Sequence, residues 1–261
     1  IRDRLYTVPE SPRWLVKQNK ETEARRIIKE VSNADIEQEV HEIRESLVAT
    51  GNCGEKLFQR KYRKPILYAF LIATFNQLSG INAILYYAPR IFEMSGVFTD
   101  SAMMQSIVIG LTNLTFTMIG MILIDQVGRK KLLYIGSIGM AISLALVAKG
   151  FCQDTFSGYY MLACLMGFIA FFAISLGAVI WVLISEVFPN SVRSKGQVLG
   201  SMTHWVWSAL LSWMFPVFIR TGGTFIFSFF AIMMFLSFFF ALRLPETKNK
   251  SLGQIQKELT N

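Results

Sequence analysis

Six long apolar stretches constrain the fold of this chain more than any other feature. They lie at 66–93, 102–124, 132–152, 159–187, 197–219 and 223–244. The hydrocarbon core of a bilayer is about 30 Å thick, so a spanning helix needs roughly 20 apolar residues. Hydrophobic residues make up 52% of the chain and charged residues only 17%, unlike an average soluble domain. The sequence therefore predicts an all-α membrane protein with six transmembrane helices.

The basic residues predict how these helices are oriented. Most of the 26 Lys and Arg residues lie in segments on one side of the spans, namely 1–64, 125–131, 186–197 and 243–261. Only Arg90, Lys149 and Arg220 remain for the other side. Because basic loops stay cytoplasmic, both ends of the chain are predicted to be cytoplasmic. We expect the membrane to be a plasma membrane, namely the bacterial inner membrane.

The formal net charge of +8 is a consequence of this topology. Its expected partner is the anionic headgroup region of the lipid bilayer. Nucleic-acid binding is rejected because no basic and aromatic platform accompanies the charge. We expect the protein to act as a monomer.

The first 64 residues differ in character from the rest. Apolar positions recur there at helical spacing, in one run at Ala24, Ile27, Ile28 and Val31 and in a second at Ile36, Val40, Ile43 and Leu47. Ser32 and Asp35 resemble a capping box before the second run. We therefore predict a cytoplasmic inter-domain segment with amphipathic helices at 1–64, a six-helix transmembrane domain at 65–244 and a cytoplasmic tail at 245–261. Because the chain opens on what looks like an inter-helix connection, we expect it to be part of a longer protein.

Unusual polarity interrupts the first apolar stretch, in the segment FNQLSGINAILYYAP at 75–89. On one ideal helix, at about 100° per residue, Gln77 and Asn82 would point roughly 140° apart. Gly80 is a position at which that helix can break, and a break would let both amides converge. Interrupted membrane helices recur at the substrate sites of transporters. From Asn82 the helical face continues through Tyr86 and Pro89, so we predict a gate beyond the site, formed by Gly80, Tyr86, Tyr87 and Pro89.

Three other stretches carry polar or small residues on one helical face. These residues are Gly110, Asn113, Thr117 and Gly120 in the second stretch, Ser175, Gly177 and Trp181 in the fourth, and Gly200, Ser201, His204, Trp205, Ser208 and Ser212 in the fifth. An isolated polar residue in a membrane usually joins two helices. Repeated amides together with indole rings, without a fixed charge, instead suit a polyhydroxylated ligand. A carbohydrate fits this pattern best.

Catalytic and metal-binding classes find little support in the sequence. The only histidines, His41 and His204, lie in different regions, and Cys53, Cys152 and Cys164 form no CxxC pair. Neither a metal site nor a disulfide framework is predicted. No nucleophile with its base and no charged pore is visible, so the chain is predicted to be neither an enzyme nor a channel.

Five ordered motifs resemble those of the sugar porters of the major facilitator superfamily. They are PESPRWL, QLSGINAILYYAP, DQVGRKK, SEVFPNSVR and PETKNKSL, and the likeness is greatest to the bacterial xylose–proton symporters. The resemblance implies a twelve-helix transporter that works by alternating access. This chain would be its central cytoplasmic segment and C-terminal six-helix half, with the missing N-terminal six-helix half as its partner. The substrate would be a monosaccharide, a pentose or hexose such as xylose or glucose.

The resemblance also implies a set of sugar-binding positions. They are Gln77, Asn82, Asn113, Trp181 and Trp205, with Asn76 and His204 at neighbouring polar positions. Asn76 stands where the family usually has a Gln, and His204 where it usually has an amide, so both bear on sugar preference. Ala173 stands where glucose facilitators tend to carry Glu, which favours the bacterial symporters.

Charged residues flank the predicted cytoplasmic ends of the helices. Asp125, Arg129, Glu186 and Arg193 lie there, where partial burial favours ion pairing and reduces screening by salt. The resemblance implies that such residues form a conformational latch. Glu10, Arg13 and Glu246 are its candidate partners.

Energy coupling is predicted from the resemblance alone, as proton symport with no other cofactor. A proton-coupled carrier needs a carboxylate exposed to the pathway. The acids nearest the spans, Glu93, Asp125 and Glu186, fall close to their ends. The proton site is therefore expected in the missing half. Facilitated uniport and a sugar sensor that does not transport remain alternatives.

Overall fold

The computed structural model describes residues 10–31, 36–37, 39–41, 43–44, 56–94, 99–153, 158–189, 191–244 and 246. The chain divides into two compact units, Ile1–Lys56 and Leu57–Asn261. Within the described ranges, regular secondary structure consists of helices.

The first unit contains two amphipathic helices whose bounds the structure describes. Helix α1 spans Pro12–Lys17 and α2 spans Glu21–Val31. Leu15, Val16 and Ala24 are buried together, and Ile43 packs against them. The predicted apolar face of α2 is confirmed, because Ala24 and Ile28 are buried. In the second predicted helix, residues 36–37, 39–41 and 43–44 are helical, and Val40 is buried. Leu47 and the predicted cap of Ser32 and Asp35 lie outside the described residues.

The described residues of the second unit form six helices or helix pairs that are long and apolar enough to cross a membrane, as the sequence predicts. A short 3₁₀ turn at Arg60–Tyr62 leads into the first. The helices are α3 Arg63–Leu78, α4 Ile81–Met94, α5 Thr99–Val127, α6 Arg129–Gln153, α7 Gly158–Phe172, α8 Ala178–Val187, α9 Arg193–Thr221 and α10 Gly223–Arg243. The pair α3 and α4 forms one span, and α7 and α8 form another, joined by a π-helical turn at Ala173–Gly177.

Several helices extend further than their apolar stretches predict. Helix α5 continues to Val127 and α9 begins at Arg193, whereas the sequence placed these ends at 124 and 197. The extra turns carry charged or polar side chains, which water at the membrane surface can solvate while the backbone stays helical. The limit of an apolar stretch therefore marks the hydrocarbon boundary rather than the helix end.

Close packing of small residues holds the spans together. Gly136 on α6 faces the π-helical turn, where a Cβ atom would lie 1.8 Å from Ser175 Oγ. Helix α6 also packs along α10, and Ser137 Oγ donates to Ser237 Oγ at 3.3 Å in the buried contact. Phe227 and Phe230 of α10 are fully buried. This packing sets α10 behind the break between α3 and α4.

Candidate functional site

The break between α3 and α4 is confirmed at Gly80. Its φ of +81° lies in the left-handed region, which glycine adopts without steric cost. Ser79 Oγ donates to the carbonyl of Asn76 at 2.6 Å and accepts from the Ile81 backbone N–H at 3.3 Å. A Cβ atom on Gly80 would lie 2.5 Å from the ring of Phe230. Both backbone conformation and space therefore require glycine at this position.

The break brings the amides of Gln77 and Asn82 together, as predicted. Asn82 Nδ2 donates to Gln77 Oε1 at 3.1 Å, and Gln77 Nε2 lies 3.3 Å from Asn76 Oδ1. We call Asn76, Gln77 and Asn82 the amide cluster. Asn76 and Gln77 are each 1% exposed, whereas Asn82 is half-buried. Asn82 is thus the member most open to a ligand.

Helix α9 forms the facing wall of the amide cluster. Gln77 Nε2 lies 3.0 Å from His204, and Asn82 Nδ2 donates to Ser208 Oγ at 2.8 Å. His204 and Ser208 are four residues apart and therefore lie on one face of α9. Gln77 Nε2 lies 3.0 Å from both ring nitrogens of His204, so which of them accepts the hydrogen bond depends on the tautomer of the imidazole. The sequence places Ser208 on the polar face of α9 but does not indicate its amide partner.

Two indole rings flank His204. Its ring centroid lies 5.1 Å from that of Trp181 on α8, with an interplanar angle of 56°. Trp205 packs edge-on to His204 at 5.3 Å. Trp181 and Trp205 remain 44% and 61% exposed. Apolar ring surface therefore stands beside hydrogen-bonding amides, which is the combination that a sugar ring requires.

Asn76 differs from the other amides because both ends of its side chain are occupied inside the protein. Its Nδ2 donates to the carbonyl of Leu176 at 3.2 Å, within the π-helical turn, and its Oδ1 faces Gln77 Nε2. A π-helical turn widens the helix and redirects backbone carbonyls. Asn76 thus joins Gln77 to the turn that precedes Trp181. The sequence offers no signal for this contact.

Asn113 lies half-buried on α5. Its backbone carbonyl accepts from Thr117 Oγ1 at 2.7 Å. Among the hydrogen bonds between described residues, none joins its side chain to the amide cluster. Hydrogen bonds and ring contacts between described residues therefore join Gln77, Asn82, His204 and both indoles, and those contacts do not include the side chain of Asn113.

The residues predicted to form a gate follow the break along α4. Tyr87 Oη donates to the carbonyl of Ser212 at 3.1 Å, and its ring stacks on Phe215 at 5.2 Å. Tyr86 is 62% exposed, and Pro89 is exposed within a helix that continues to Met94. Tyr87 is thus anchored on α9, whereas Tyr86 projects from the unit.

An ionic cluster joins three of the residues predicted for a latch. Arg129 Nη2 donates to Glu186 Oε1 at 3.0 Å, and Arg129 Nη1 lies 3.1 Å from Asp125 Oδ1. The side chains of Arg129 and Glu186 are only 15% and 19% exposed, whereas Asp125 is 76% exposed. The cluster therefore ties the ends of α5 and α8 to the start of α6.

The other candidate latch residues occupy different places. Glu246 lies beside Gly128, where a Cβ atom would come 3.1 Å from Glu246 Oε2. Arg193 Nε donates to the carbonyl of Phe188 at 3.4 Å. Glu10 and Arg13 belong to the first unit, in which Glu10 is exposed. The structure thus brings together Asp125, Arg129 and Glu186, with Glu246 close to the start of α6.

The family model described as "Sugar (and other) transporter" matches residues 4–259. The chain belongs to this family. It is 37% identical over 257 residues to the arabinose-proton symporter of Bacillus subtilis, covering 97% of this chain and 55% of that protein. It is 35% identical over 261 residues to the D-xylose-proton symporter of Escherichia coli, covering 97% and 53%.

Solved structures confirm the fold of this sugar transporter family member. The proton:xylose symporter XylE bound to 6-bromo-6-deoxy-D-glucose superposes with a TM-score of 0.81 at 34% identity, covering 98% of this chain and 55% of that chain. The chain is therefore an integral membrane protein with a major facilitator fold, and it spans about half the length of the curated relatives it matches. The family consists of transporters, so the prediction that the chain is not an enzyme is confirmed.

Proposed function

We propose that this chain is the C-terminal half of a carrier that moves a monosaccharide across the plasma membrane by alternating access. The observation that carries the proposal is the amide cluster set beside two partly exposed indole rings. Amides both donate to and accept from sugar hydroxyls, and an indole face packs on the apolar side of a pyranose ring. Similarity to arabinose and xylose symporters supports a pentose or hexose as substrate.

Each site residue receives a role from its surroundings. Gln77 and Asn82 contact the sugar, because their present hydrogen bonds can each be exchanged for a bond to a hydroxyl group. Trp181 and Trp205 pack on the sugar ring with their exposed faces. Asn113, half-buried on α5, is proposed as a further sugar contact from the family resemblance alone.

Asn76 acts through Gln77 in this proposal. Both ends of its buried amide are already bonded, to Leu176 and to Gln77. It orients the Gln77 amide and fixes the π-helical turn relative to α3. The shorter amide at this position thereby leaves recognition of the hydroxyl groups to Gln77 and Asn82.

Alternating access requires the two halves of the carrier to move about the sugar. Tyr86, Tyr87 and Pro89 would close the site on the non-cytoplasmic side, with Tyr87 anchored on Ser212 and Tyr86 projecting toward the missing half. The Gly80 break lets α4 move while α3 stays packed. The ionic cluster of Asp125, Arg129 and Glu186 would hold the cytoplasmic side closed, with Arg193 and Glu246 as further partners.

Proton coupling is proposed from the proton symporters that the chain resembles. A coupling carboxylate must face the pathway. In the described spans, the acids Glu93, Asp125 and Glu186 lie close to helix ends. We therefore place the protonated group in the missing half, with sugar binding and gating in this half. Uniport and a sensor without transport are the competing functions.

Counterflow of radiolabelled xylose and glucose tests the proposed function. The complete parent protein is reconstituted in liposomes loaded with unlabelled sugar, without an imposed proton gradient. A carrier exchanges label inward, and the sugar that exchanges is the substrate. Binding of a sugar panel without any exchange would instead identify a sensor, and folded protein that neither binds nor exchanges would overturn the proposal.

His204→Gln is expected to alter sugar preference. The imidazole of His204 meets Gln77 with nitrogens fixed in a rigid ring, whereas a Gln side chain is flexible and ends in one donor and one acceptor group. We expect the ratio of xylose to glucose affinity to change by about 10-fold, the effect of roughly one hydrogen bond. Equilibrium binding of both sugars measures this ratio. Met202→Leu, an exposed position on α9, is the matched control, and an unchanged ratio in His204→Gln would assign His204 to packing.

Arg129→Ala is expected to shift the balance between inward-open and outward-open states while leaving sugar affinity nearly unchanged. Removing the guanidinium takes away the hydrogen bond that Arg129 donates to the largely buried Glu186 carboxylate. A buried polar group that loses its partner costs about 1–3 kcal/mol. Alkylation of reporter cysteines from each side of the membrane measures the shift. Adding Glu186→Gln should restore much of the original balance, and Lys131→Ala serves as the control. Unchanged accessibility in Arg129→Ala would contradict the latch.

A further inference from the structure

Ser208 on α9 is bonded to a proposed sugar contact but does not itself belong to the proposed sugar site. It is 5% exposed, and its Oγ accepts from Asn82 Nδ2 at 2.8 Å. This bond is shorter than the one that the same nitrogen donates to Gln77 Oε1, at 3.1 Å. A buried hydroxyl group in this position can determine which atoms of the Asn82 amide a ligand meets.

The two bonds occupy both hydrogens of the Asn82 amide nitrogen. An amide NH₂ group has two hydrogens to donate, and here they go to Gln77 and to Ser208. Asn82 Oδ1, by contrast, takes part in no hydrogen bond between the described residues, and it is not among their side-chain atoms that are buried without a partner. The nitrogen is therefore engaged within the protein, whereas the oxygen is open to a ligand.

The direction of these bonds follows from the far end of the row of amides. Leu176 contributes a backbone carbonyl, which can only accept, so Asn76 presents its nitrogen there, at 3.2 Å. The Asn76 oxygen then faces the nitrogen of Gln77 at 3.3 Å, and the Gln77 oxygen faces the nitrogen of Asn82 at 3.1 Å. Turning over any one amide would place two oxygens or two nitrogens against each other. The carbonyl of the π-helical turn thus fixes the orientation of all three amides.

Ser208 takes up the one hydrogen that this row of amides leaves over. Gln77 uses one hydrogen of Asn82, and without a partner on α9 the other would be available to a ligand. Ser208 lies four residues after His204, which meets Gln77 Nε2 at 3.0 Å, so one face of α9 contacts both amides. A hydroxyl oxygen has two lone pairs and can accept that hydrogen. What Asn82 then offers a sugar is an acceptor.

We propose that Ser208 is a positioning residue for sugar recognition, which holds the Asn82 amide so that it meets the sugar as an acceptor. This inference rests on the proposed function. A hydroxyl group that donates to Asn82 Oδ1 gains a bond without displacing one, whereas a hydroxyl group that accepts from Asn82 has to displace Gln77 or Ser208 first. At one position of the sugar ring, the site therefore selects a hydroxyl hydrogen and not only an oxygen atom.

Binding of matched deoxy and fluorodeoxy sugars to the complete parent protein tests this preference. The unmodified sugar is whichever of D-xylose and D-glucose binds more tightly, and one hydroxyl group at a time is replaced by hydrogen or by fluorine. Fluorine accepts hydrogen bonds weakly and cannot donate one. The ring position that contacts Asn82 is the one at which the loss caused by hydrogen substitution disappears in Asn82→Ala. At that position, both analogues should bind the wild-type protein about 10-fold more weakly than the unmodified sugar.

Ser208→Ala should separate the two analogues at that ring position. It frees one N–H of Asn82 to donate, so the fluorodeoxy sugar should bind about 3-fold more tightly than the deoxy sugar, whereas the wild-type protein binds both equally. A merely structural loss would instead weaken the unmodified sugar and both analogues alike. Ser208→Thr keeps the hydroxyl group and should behave as the wild type. Thr203→Val is the matched control, because it removes from α9 a hydroxyl group that donates to the carbonyl of Leu199 within the helix.

Several results would overturn the inference while leaving the proposed function intact. They are a fluorodeoxy sugar that binds the wild type more tightly than its deoxy counterpart, equal binding of both analogues to Ser208→Ala, the same separation in Thr203→Val, and no ring position that depends on Asn82. Ser208→Cys, whose thiol accepts weakly, makes the same test at nearly constant volume should Ser208→Ala fail to fold. If folded wild-type protein binds neither sugar, the proposed function fails and this inference fails with it.

Discussion

Gln77→Ala is expected to abolish detectable counterflow by the complete protein and to weaken sugar binding about 100-fold, the effect of losing two or three hydrogen bonds. Gln77 is 1% exposed and lies at the centre of the site, within 3.3 Å of Asn76, Asn82 and His204. Truncation removes the contacts proposed with the sugar and the hydrogen bond that Asn82 Nδ2 donates to Gln77 Oε1, and it leaves Asn82 bonded to Ser208 alone. No other single substitution in the amide cluster removes as many bonds.

Isothermal titration and counterflow with the same sugar measure this loss. Gln197→Ala, an exposed glutamine on α9, is the matched control and should bind normally. Asn76→Ala distinguishes a residue that orients Gln77 from one that contacts the sugar. It should disorient Gln77 without removing it, and it should therefore lower sugar affinity less than Gln77→Ala. Wild-type affinity in folded Gln77→Ala would remove this residue from the site.

Gly80→Ala is expected to lower the stability of the complete protein by about 2–5 kcal/mol and to eliminate transport. The φ of +81° costs an alanine about 1–2 kcal/mol. A Cβ atom 2.5 Å from the buried Phe230 ring adds about 1–3 kcal/mol of overpacking. The backbone can relieve both only by reshaping the turn, and that would separate Gln77 from Asn82.

The melting temperature in detergent and the counterflow rate measure these two effects. Gly110→Ala is the matched control, because no heavy atom lies within 4 Å of a Cβ atom built there. Phe230→Leu combined with Gly80→Ala should recover the part of the loss that comes from the ring. A Gly80→Ala protein with wild-type melting and transport would show that the break has no role in the site.

The structural features that could be predicted from the sequence each depend on a single property of the residues involved. Length and apolarity predict the six spans, because a bilayer requires both. The break at Gly80 could be anticipated from polar residues that a continuous helix would point in different directions. The convergence of Asp125, Arg129 and Glu186 could be anticipated from opposite charges at helix ends.

The contacts that depend on which helices are neighbours could not be derived from the sequence alone. Asn76 reaches the carbonyl of Leu176, one hundred residues away, because a π-helical turn presents it. Nothing in the letters AISLG distinguishes a π turn from an ordinary α-helix. Ser208 lay on the predicted polar face, but its bond to Asn82 depends on how α9 packs against α4. Asn113 shows the reverse case, since its position on a polar face did not bring it into the hydrogen-bonded cluster.

The hydrogen bonds that the amide cluster makes with its own neighbours bear on the return step of a transport cycle. After releasing sugar, a carrier has to reorient with its site empty, and each unpaired buried polar group would then cost about 1–3 kcal/mol. Gln77 and Asn82 instead pair with each other, with His204 and with Ser208. In the proposed carrier, a sugar would therefore replace existing bonds and gain only the difference, which favours rapid release. A deoxy sugar, which cannot replace every bond it breaks, would be discriminated against at each missing hydroxyl group.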